Sequence, residues 1–326
     1  MASARSGLAF WGGGAIFVAC AFMATMLVRN EYPFFAGYVI LQFIVLATAW
    51  NILGGYAGYV NFGTSAFFGI GVYTAVFMFK WIAAPLIVQI VTAAVVGAVL
   101  GLLVGALTLR MRGIFFSIAT IALTIIIETF VINWKFVGGA TGIQLLRPPL
   151  TPPFDSYVKM LFVVLAVLVV IAVALARFIQ GSWIGRGLQA LRDDEVAAEA
   201  TGVPTLRLKL IACVISGAVM CAAGAPSAMY LSFADPASAF NLNYSVSALA
   251  MSLIGGTSHW IGPILGALLL GITQQLLSVT ISSEMNVLVL GVMLVLFVVG
   301  APEGLIGLGR RIRAALVKLR LRKEGA

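Results

Sequence analysis

Long apolar runs are the feature that most limits what this chain can fold into. A helix that crosses the hydrocarbon core of a bilayer needs roughly 20 apolar residues. Ten segments approach that length: 8–28, 35–53, 58–79, 83–109, 113–134, 158–179, 210–232, 244–256, 261–281 and 285–301. Hydrophobic residues make up 62% of the chain, which is more than a soluble core needs. The sequence therefore predicts an all-α, polytopic transmembrane helical bundle of about eight to ten spans.

Two of these segments are expected to be incomplete. Residues 244–256 are short and end in two glycines, which favours a half-span, and the glycine-rich stretch 54–71 favours an interrupted helix. Small residues four positions apart indicate close contacts between helices. Such pairs occur at Gly97–Gly101–Gly105, Gly54–Gly58 and Gly262–Gly266.

Basic residues gather at the ends of the apolar runs. The formal net charge of +9 would suggest nucleic acid in a soluble protein, but here the cations mark topology, and no nucleic-acid partner is expected. The positive-inside rule puts both termini and residues 182–209 in the cytoplasm, and residues 136–157 outside. We therefore expect residues 1–326 to form one domain surrounded by lipid, with a basic cytoplasmic tail at 306–326.

Chemically reactive residues are few. Cys20, Cys213 and Cys221 lie in apolar runs, and the single histidine, His259, lies beside glycines and a proline, where a structural role is favoured over a ligand role. The spacings match no metal site, and the phosphate-binding pattern GxxxxGK[ST] is absent from the sequence. No catalytic residue, metal or cofactor is predicted, and any ATP hydrolysis must occur on another chain.

The segment 182–209, SWIGRGLQALRDDEVAAEATGVPTLRLK, is unusually rich in charge. Asp193, Asp194 and Glu195 favour the start of a short helix, because acids complement the helix dipole there, and Gly202 favours its end. The sequence thus predicts a capped helix at about residues 193–201. Small residues on it, including Ala197 and Ala198, would allow close approach of a partner; a solvated connector is the alternative.

Polar groups inside the apolar runs also stand out. Glu128 is the one acid well inside a predicted span, where a charge costs roughly 3 kcal/mol, so it should face protein or water. It either belongs to a translocation path or pairs with a polar group on a neighbouring helix. The same two readings, pore lining or polar contact between helices, apply to the residues around the glycine-rich break. These are Asn51, Asn61, Thr64 and Ser65.

The charged segment carries a family resemblance. The stretch GRGLQALRDDEVAAEATGVPTLRLKLIACVISG resembles the cytoplasmic loop of permease subunits in ATP-binding-cassette (ABC) importers for branched-chain amino acids. Three further stretches resemble the same family in the expected order: GGYAGYVNFGTSAFFGIGVYTAV (54–76), RMRGIFFSIATIALTIIIETFVINWKFVGGATGI (110–143), and GGTSHWIGPILGALLL (255–270) with APEGL. The second of these marks the longer, M-type subunit. Together they cover about residues 36–309, although Thr64 stands where the family often has histidine.

The resemblance implies a bacterial-type inner membrane as the location, and it also implies partners and a mechanism. It implies ATPase subunits, a second, paired permease subunit, and an extracytoplasmic solute-binding protein, with transport by alternating access. ATPase coupling would then involve Asp193, Asp194, Glu195, Ala197, Ala198, Glu199 and Gly202. Branched-chain amino acids are the expected cargo; urea, amides or another small solute are alternatives. A secondary transporter without an ATPase is a further alternative, and it would be expected to carry several intramembrane charges.

Overall fold

The computed structural model describes residues 2–108, 111, 113–147, 150, 154–280, 285–301 and 303–309. Most of these residues are helical. The first part of the chain forms α1 (Ala2–Leu27), α2 (Tyr32–Ala57), α3 (Thr64–Ile82), α4 (Leu86–Thr108) and α5 (Ile114–Asn133). Two short 3-10 turns, Lys135–Val137 and Gly139–Thr141, then lead to the strand β1 (Ile143–Gln144).

The second part begins with α6 (Tyr157–Gly181) and two short helices, α7 (Trp183–Asp193) and α8 (Glu195–Ala200). After these come α9 (Thr205–Leu231), β2 (Phe233–Ala234), α10 (Pro236–Ala239), α11 (Asn243–Gly255), α12 (Gly262–Thr280) and α13 (Met285–Gly300). Strand β2 pairs antiparallel with β1, with Ala234 opposite Ile143. This pairing joins the loop after α5 to the end of α9.

The prediction of an all-α polytopic bundle is confirmed. Among the described residues, seven helices are long and apolar enough to cross a membrane: Ala9–Leu27, Tyr32–Ala57, Thr64–Ile82, Leu86–Thr108, Ile114–Asn133, Tyr157–Gly181 and Thr205–Leu231. Gly262–Ser278 and Leu288–Phe297 are shorter apolar helices. A helix coincides with each of the ten predicted segments, because apolar length is a strong signal in a chain adapted to lipid.

Both expected irregularities are present. Helix α2 ends at Ala57, Gly58 takes the left-handed conformation (φ 77°), and residues 58–63 are irregular before α3 begins. The predicted interruption within 54–71 therefore lies at 58–63, which we call the α2–α3 break. Helix α11 has 13 residues. At 1.5 Å per residue it is about 20 Å long, shorter than the hydrocarbon core of about 30 Å.

Glycines let the helices approach closely around α9, which packs most extensively against α4 and α3. A Cβ added at Gly97 would lie 2.5 Å from the carbonyl oxygen of Gly217, and one at Gly101 would lie 2.8 Å from that of Cys213. Gly266 lies against the Met251 carbonyl of α11 in the same way. The glycine spacings at 97–101 and 262–266 thus mark close helix contacts, whereas a Cβ at Gly54 would first meet the Trp50 side chain of its own helix.

The bundle has two distinct ends. At the α7–α8 end, Gln180 of α6 donates to the Ser258 carbonyl (3.1 Å) and Arg192 of α7 donates to the Gly55 carbonyl of α2 (2.7 Å). At the opposite end, Arg147 donates to the Tyr230 carbonyl (2.8 Å) near β1 and β2. The prolines at 148, 149, 152 and 153, and the tail from residue 310 onward, lie outside the described residues.

The close contact of α4 with α9 gives a stability prediction. In Gly97→Ala the new methyl group must displace the Gly217 backbone or the Cys221 side chain, whose Sγ would be 2.6 Å away. We expect the variant to lose about 1–3 kcal/mol of stability, as in other overpacked cores. Gly12→Ala is the control, since a Cβ there meets nothing within 4 Å. Thermal unfolding followed by tryptophan fluorescence should show a lower Tm for Gly97→Ala alone; equal melting temperatures would contradict the prediction.

Candidate functional site

The charged segment folds as two helices rather than one. Asp193 is the last residue of α7, whereas Asp194 is the N-cap of α8. The Asp194 carboxylate accepts hydrogen bonds from the backbone N–H groups of Val196 (2.9 Å) and Ala197 (3.0 Å). The predicted capped helix is therefore present over Glu195–Ala200, and its start is one or two residues later than the sequence indicated, because Asp194 takes an extended conformation.

The end of α8 is fixed by backbone and side-chain bonds. Gly202 has φ 86°, a left-handed conformation that glycine adopts readily. The Val203 N–H donates to the Ala198 carbonyl (3.0 Å), so the chain folds back directly after the helix. Glu199 accepts a hydrogen bond from the Thr205 hydroxyl at the start of α9 (2.7 Å).

Helix α8 has an inner and an outer face. Ala198 is only 5% exposed and packs toward the bundle. Val196, Ala197, Glu199 and Ala200 are exposed. Of the two alanines that the sequence singled out, Ala197 therefore lies on the accessible face and Ala198 on the hidden one.

Glu195 joins α8 to the α2–α3 break. Its carboxylate accepts a hydrogen bond from the Tyr59 hydroxyl (2.7 Å) and forms a salt bridge with Lys209 of α9. The Lys209 side chain is 3% exposed, and its Nζ lies 4.7 Å from the centroid of the Tyr59 ring. A buried ammonium is stable only when it is paired, so Glu195, Lys209 and Tyr59 form one connected unit.

A cleft of about 540 Å³ lies where the charged segment faces the break. Tyr59 and Ser117 line one side, and Arg192 and Asp193 line the other. The hydrogen bond from Arg192 to Gly55 ties the end of α7 to the last turn of α2. The charged segment thus forms hydrogen bonds at Gly55 and Tyr59, in addition to the packing of α7 against α2, α6 and α9.

Side chains satisfy the backbone of the α2–α3 break. The indole N–H of Trp50 donates to the Asn61 carbonyl (2.7 Å), and the Ser117 hydroxyl donates to the Val60 carbonyl (2.9 Å). At Phe62, the N–H donates to the Thr120 hydroxyl (3.1 Å), while the carbonyl accepts from the Ser245 hydroxyl (2.6 Å). Irregular backbone in an apolar bundle requires such partners.

The polar residues that the sequence placed at the break are all buried there. Asn61 Oδ1 accepts from the Gly63 N–H (2.7 Å), and the Ser65 N–H donates to the Ser245 hydroxyl (2.9 Å). The amide of Asn51 and the hydroxyl of Thr64 are buried without a hydrogen-bond partner among the described residues. Ser65 therefore takes part in a contact between helices and Asn61 in a local contact within the break, whereas Asn51 and Thr64 retain unused hydrogen-bonding capacity.

Glu128 lies apart from these polar residues, on the side of α5 that also carries Thr120 and Thr124. Thr120 and Thr124 are buried, and Glu128 continues their i+4 row as a half-buried side chain. Ser65 Oγ lies 3.5 Å from Thr124 Oγ1, so Glu128 is one helical turn beyond the polar cluster. The rest of α5 is largely exposed, including Ile125 and other large apolar side chains.

Three contributors were missed in the sequence. Tyr59, Lys209 and Ser245 make long-range contacts, and Tyr59 and Glu195 are separated by 136 positions. Lys209 offered a signal, since a cation directly before an apolar run needs an acidic partner once it is buried. His259 has a local role: its Nδ1 accepts from the Ile261 N–H (3.3 Å).

Comparison with known proteins gives a consistent picture. Residues 32–298 match the family described as branched-chain amino acid transport system / permease component. The high-affinity branched-chain amino acid transport system permease protein LivM of Salmonella typhimurium is 27% identical over 320 residues, covering 88% of this chain and 75% of the relative. LivM of Escherichia coli is 28% identical, covering 82% and 68%. LivH of Escherichia coli is 29% identical over 134 residues, covering 41% of this chain. No solved structure matches the chain.

The family match covers most of the chain, including the α2–α3 break, α5 and the charged segment. The LivM relatives extend over most of both sequences, whereas LivH matches less than half, in agreement with the longer type of subunit. Helices of membrane-spanning length account for much of the matched region. The chain therefore belongs to the family of branched-chain amino acid transport system permease components, as a membrane permease subunit of the longer type.

Proposed function

We propose that this permease works with separate ATP-binding-cassette ATPase subunits, a second permease subunit and an extracytoplasmic binding protein that delivers a branched-chain amino acid. The proposed orientation puts the α7–α8 end and both termini in the cytoplasm, in agreement with the basic residues that flank the spans. ATP hydrolysis takes place on the ATPase chains. The permease alternates between outward and inward openings.

The observation that carries this proposal is the geometry of α8. The helix is short, capped at both ends and bonded to the bundle through Glu195, while Val196 and Ala197 face outward. Small side chains let a partner approach the backbone closely. Charges at the rim, such as Glu199 and Asp193, would add orientation and specificity more than affinity.

The docking role of α8 predicts the behaviour of Ala197→Trp. The indole would hold the ATPase away from the helix, whereas the bundle-facing side of α8 would remain unchanged. We expect co-purification of the ATPase and substrate-stimulated ATP hydrolysis to fall by about tenfold or more, as for truncation of a central interface residue. Gln189→Trp, on an exposed position of α7, is the matched control.

Both measurements should be made with the complete set of subunits in liposomes, with uptake recorded in parallel. Unchanged ATPase binding in Ala197→Trp would contradict the docking role of α8. Uptake that proceeds without any ATPase subunit would contradict the importer assignment itself and support a secondary transporter.

Motion of α8 is proposed to reach the membrane helices through Tyr59. The hydroxyl of Tyr59 bonds to Glu195, and the backbone of Phe62, in the same break, bonds to α5 and α11. Hydrogen bonds in a buried, low-dielectric setting are stiff and strong. A displacement of α8 would therefore shift the break and, with it, the start of α3.

Tyr59→Phe tests this connection. It removes the donor to Glu195 but leaves the ring in place, so the protein should still bind the ATPase. We expect uptake per ATP hydrolysed to fall about tenfold, since a hydrogen bond to a charged group contributes about 1.5–3 kcal/mol. Tyr56→Phe is the matched control, because its hydroxyl bonds to the Ala176 carbonyl of α6 (3.4 Å) instead. An equal loss in both variants would show that coupling does not depend on this bond.

We also propose that the translocation path runs along the polar side of α5, at the boundary with the second permease subunit. Glu128 is half-buried within a span whose other face is apolar and exposed. A carboxylate facing lipid would be costly, so protein or water must cover it. Asn51 and Thr64, with polar atoms left unsatisfied by described residues, and Asn61 and Ser65 supply hydrogen-bonding groups farther along the same route.

Glu128→Gln separates the two roles of this acid. If Glu128 faces the ammonium group of the solute, uptake should fall by about tenfold or more while the Tm of the complex stays within one or two degrees, since loss of a charge-assisted bond costs about 1.5–3 kcal/mol. Glu31→Gln, at the exposed N-cap of α2, controls for the change in net charge. Unchanged uptake with a lowered Tm would instead identify Glu128 as a structural contact between subunits.

A further inference from the structure

An apolar groove of about 520 Å³ lies between α3, α4 and α5. Its walls include Ile70 and Phe77 of α3, Val96 and Leu100 of α4, and Ile126 and Phe130 of α5. Ile126 and Phe130 are each 65% exposed, so the groove opens on the outside of the bundle. They lie two positions to either side of Glu128, which puts them on the opposite face of α5 from this acid. None of the steps proposed for transport uses the groove.

The groove begins where α5 leaves the polar contacts of the break. Near the start of α5, Thr120 bonds to the backbone of Phe62, and Thr124 Oγ1 lies 3.5 Å from Ser65 Oγ of α3. One turn farther along, the side chains of α5 line open space instead of meeting α4. Helix α5 is thus held at its break end and separated from α4 over its other half.

The groove has the depth of one leaflet. Its residues on α3 begin at Ile70, and α3 ends at Ile82, a distance of about 18 Å at 1.5 Å per residue. Half of the hydrocarbon core is about 15 Å thick. A spanning helix of another subunit would need a groove through the full thickness of about 30 Å, whereas one acyl chain reaches only to the middle of the bilayer.

Aromatic rings surround the mouth of the groove, at the end of α3. The Phe77 ring lies 5.8 Å from that of Trp134 and 5.4 Å from that of Phe136, between centroids. Trp81, which is 65% exposed, lies 5.4 Å from Phe77 on the other side. Tryptophan side chains concentrate at the level of lipid headgroups. The mouth is therefore at headgroup depth, and the apolar walls extend from it toward the bilayer centre.

Lys80 supplies positive charge at this mouth. Its Nζ lies 4.7 Å from the centroid of the Phe136 ring and donates a hydrogen bond to the Phe136 carbonyl. An ammonium group has three N–H donors, and the Lys80 side chain is exposed, so it can contact a phosphate while it keeps this bond. Lys135, in the 3-10 turn beside Phe136, is exposed as well. The mouth is thus complementary in charge to an anionic headgroup.

We propose that the groove binds an acyl chain of an anionic phospholipid from the leaflet at the β1–β2 end, with the headgroup phosphate on Lys80. Apolar walls, aromatic mouth and cation follow one another in the same order as the acyl chain, glycerol region and phosphate of the lipid. Phosphatidylglycerol binds in preference to phosphatidylcholine, which has the same phosphate but no net charge. The bound chain fills the space between α4 and α5 and supports α5 on the face opposite Glu128.

Two variants test sterics and electrostatics separately. Val96 is half-buried and lines the groove, so Val96→Trp fills the groove and leaves every charge in place. Val95→Trp is the matched control, because it makes the same change at the adjacent position, which is 57% exposed and lies outside the groove. Lys80→Gln removes the charge and leaves the space. Its control is Arg29→Gln, which removes an exposed cation outside the groove.

The test is native mass spectrometry of the full-length protein in detergent, titrated with phosphatidylglycerol or phosphatidylcholine. We expect Lys80→Gln to retain phosphatidylglycerol about fivefold less well than the unaltered protein, the factor that corresponds to about 1 kcal/mol per cation near an anionic headgroup. Val96→Trp should reduce retention at least as much, whereas each control should change it by less than twofold. Circular dichroism and gel filtration verify that each variant remains folded.

Equal retention of the two lipids by the unaltered protein would overturn the proposal. So would undiminished phosphatidylglycerol binding in Val96→Trp, or an equal loss in Val95→Trp. Excess inorganic phosphate should displace little lipid, and complete displacement would identify a small-anion site instead. If Val96→Trp prevented pairing with a second permease subunit and left lipid retention unchanged, the occupant of the groove would be a protein helix, and the proposal would be wrong.

Discussion

The α2–α3 break is the constraint on which the rest of the bundle depends. Residues 58–63 expose backbone N–H and carbonyl groups that an apolar interior cannot solvate, so each bond they receive from another helix fixes the position of that helix. Thr120 of α5 and Ser245 of α11 form hydrogen bonds with the backbone of the break, and Trp50 of α2 donates a further one to it. An unpaired group of this kind costs several kcal/mol in lipid, which makes these polar contacts more decisive than apolar packing.

Much of the fold could be predicted because its main signals are local. Apolar length located ten helical segments, and the spacing of Gly97 and Gly101 identified the face on which α4 meets α9. The glycine-rich composition of 54–71 indicated the stretch that contains the break at 58–63. Each of these properties is determined by neighbours in the chain. An apolar run in lipid must satisfy its own backbone and becomes a helix, a row of glycines gives a face without side chains, and glycine favours the left-handed conformation at which a helix ends.

The candidate site was less predictable because its contacts are not local. Composition around Asp194 indicates a helix start, but the division of α8 into a hidden Ala198 and an exposed Ala197 depends on how the helix docks on the bundle. Glu195 could have paired with any nearby cation; it pairs with Lys209 and Tyr59 because α9 and the break happen to converge there. Which residues pair across more than a hundred positions depends on the tertiary structure, and a single sequence does not reveal it.

The same contacts determine which parts of the bundle can move together. On the proposed mechanism, α7 is joined to α2 at Gly55 and α8 is joined to the break at Tyr59, and the break transmits the displacement to α5 and α11. The close glycine contacts between α4 and α9 resist sliding of one helix past the other. The two backbones touch directly there, so no side chain can repack to accommodate such a motion. Displacement is therefore directed toward α5, a span with few buried residues whose polar row carries Glu128. A helix held loosely on one side and bonded to the break on the other is well placed to open a path at the boundary with a second permease.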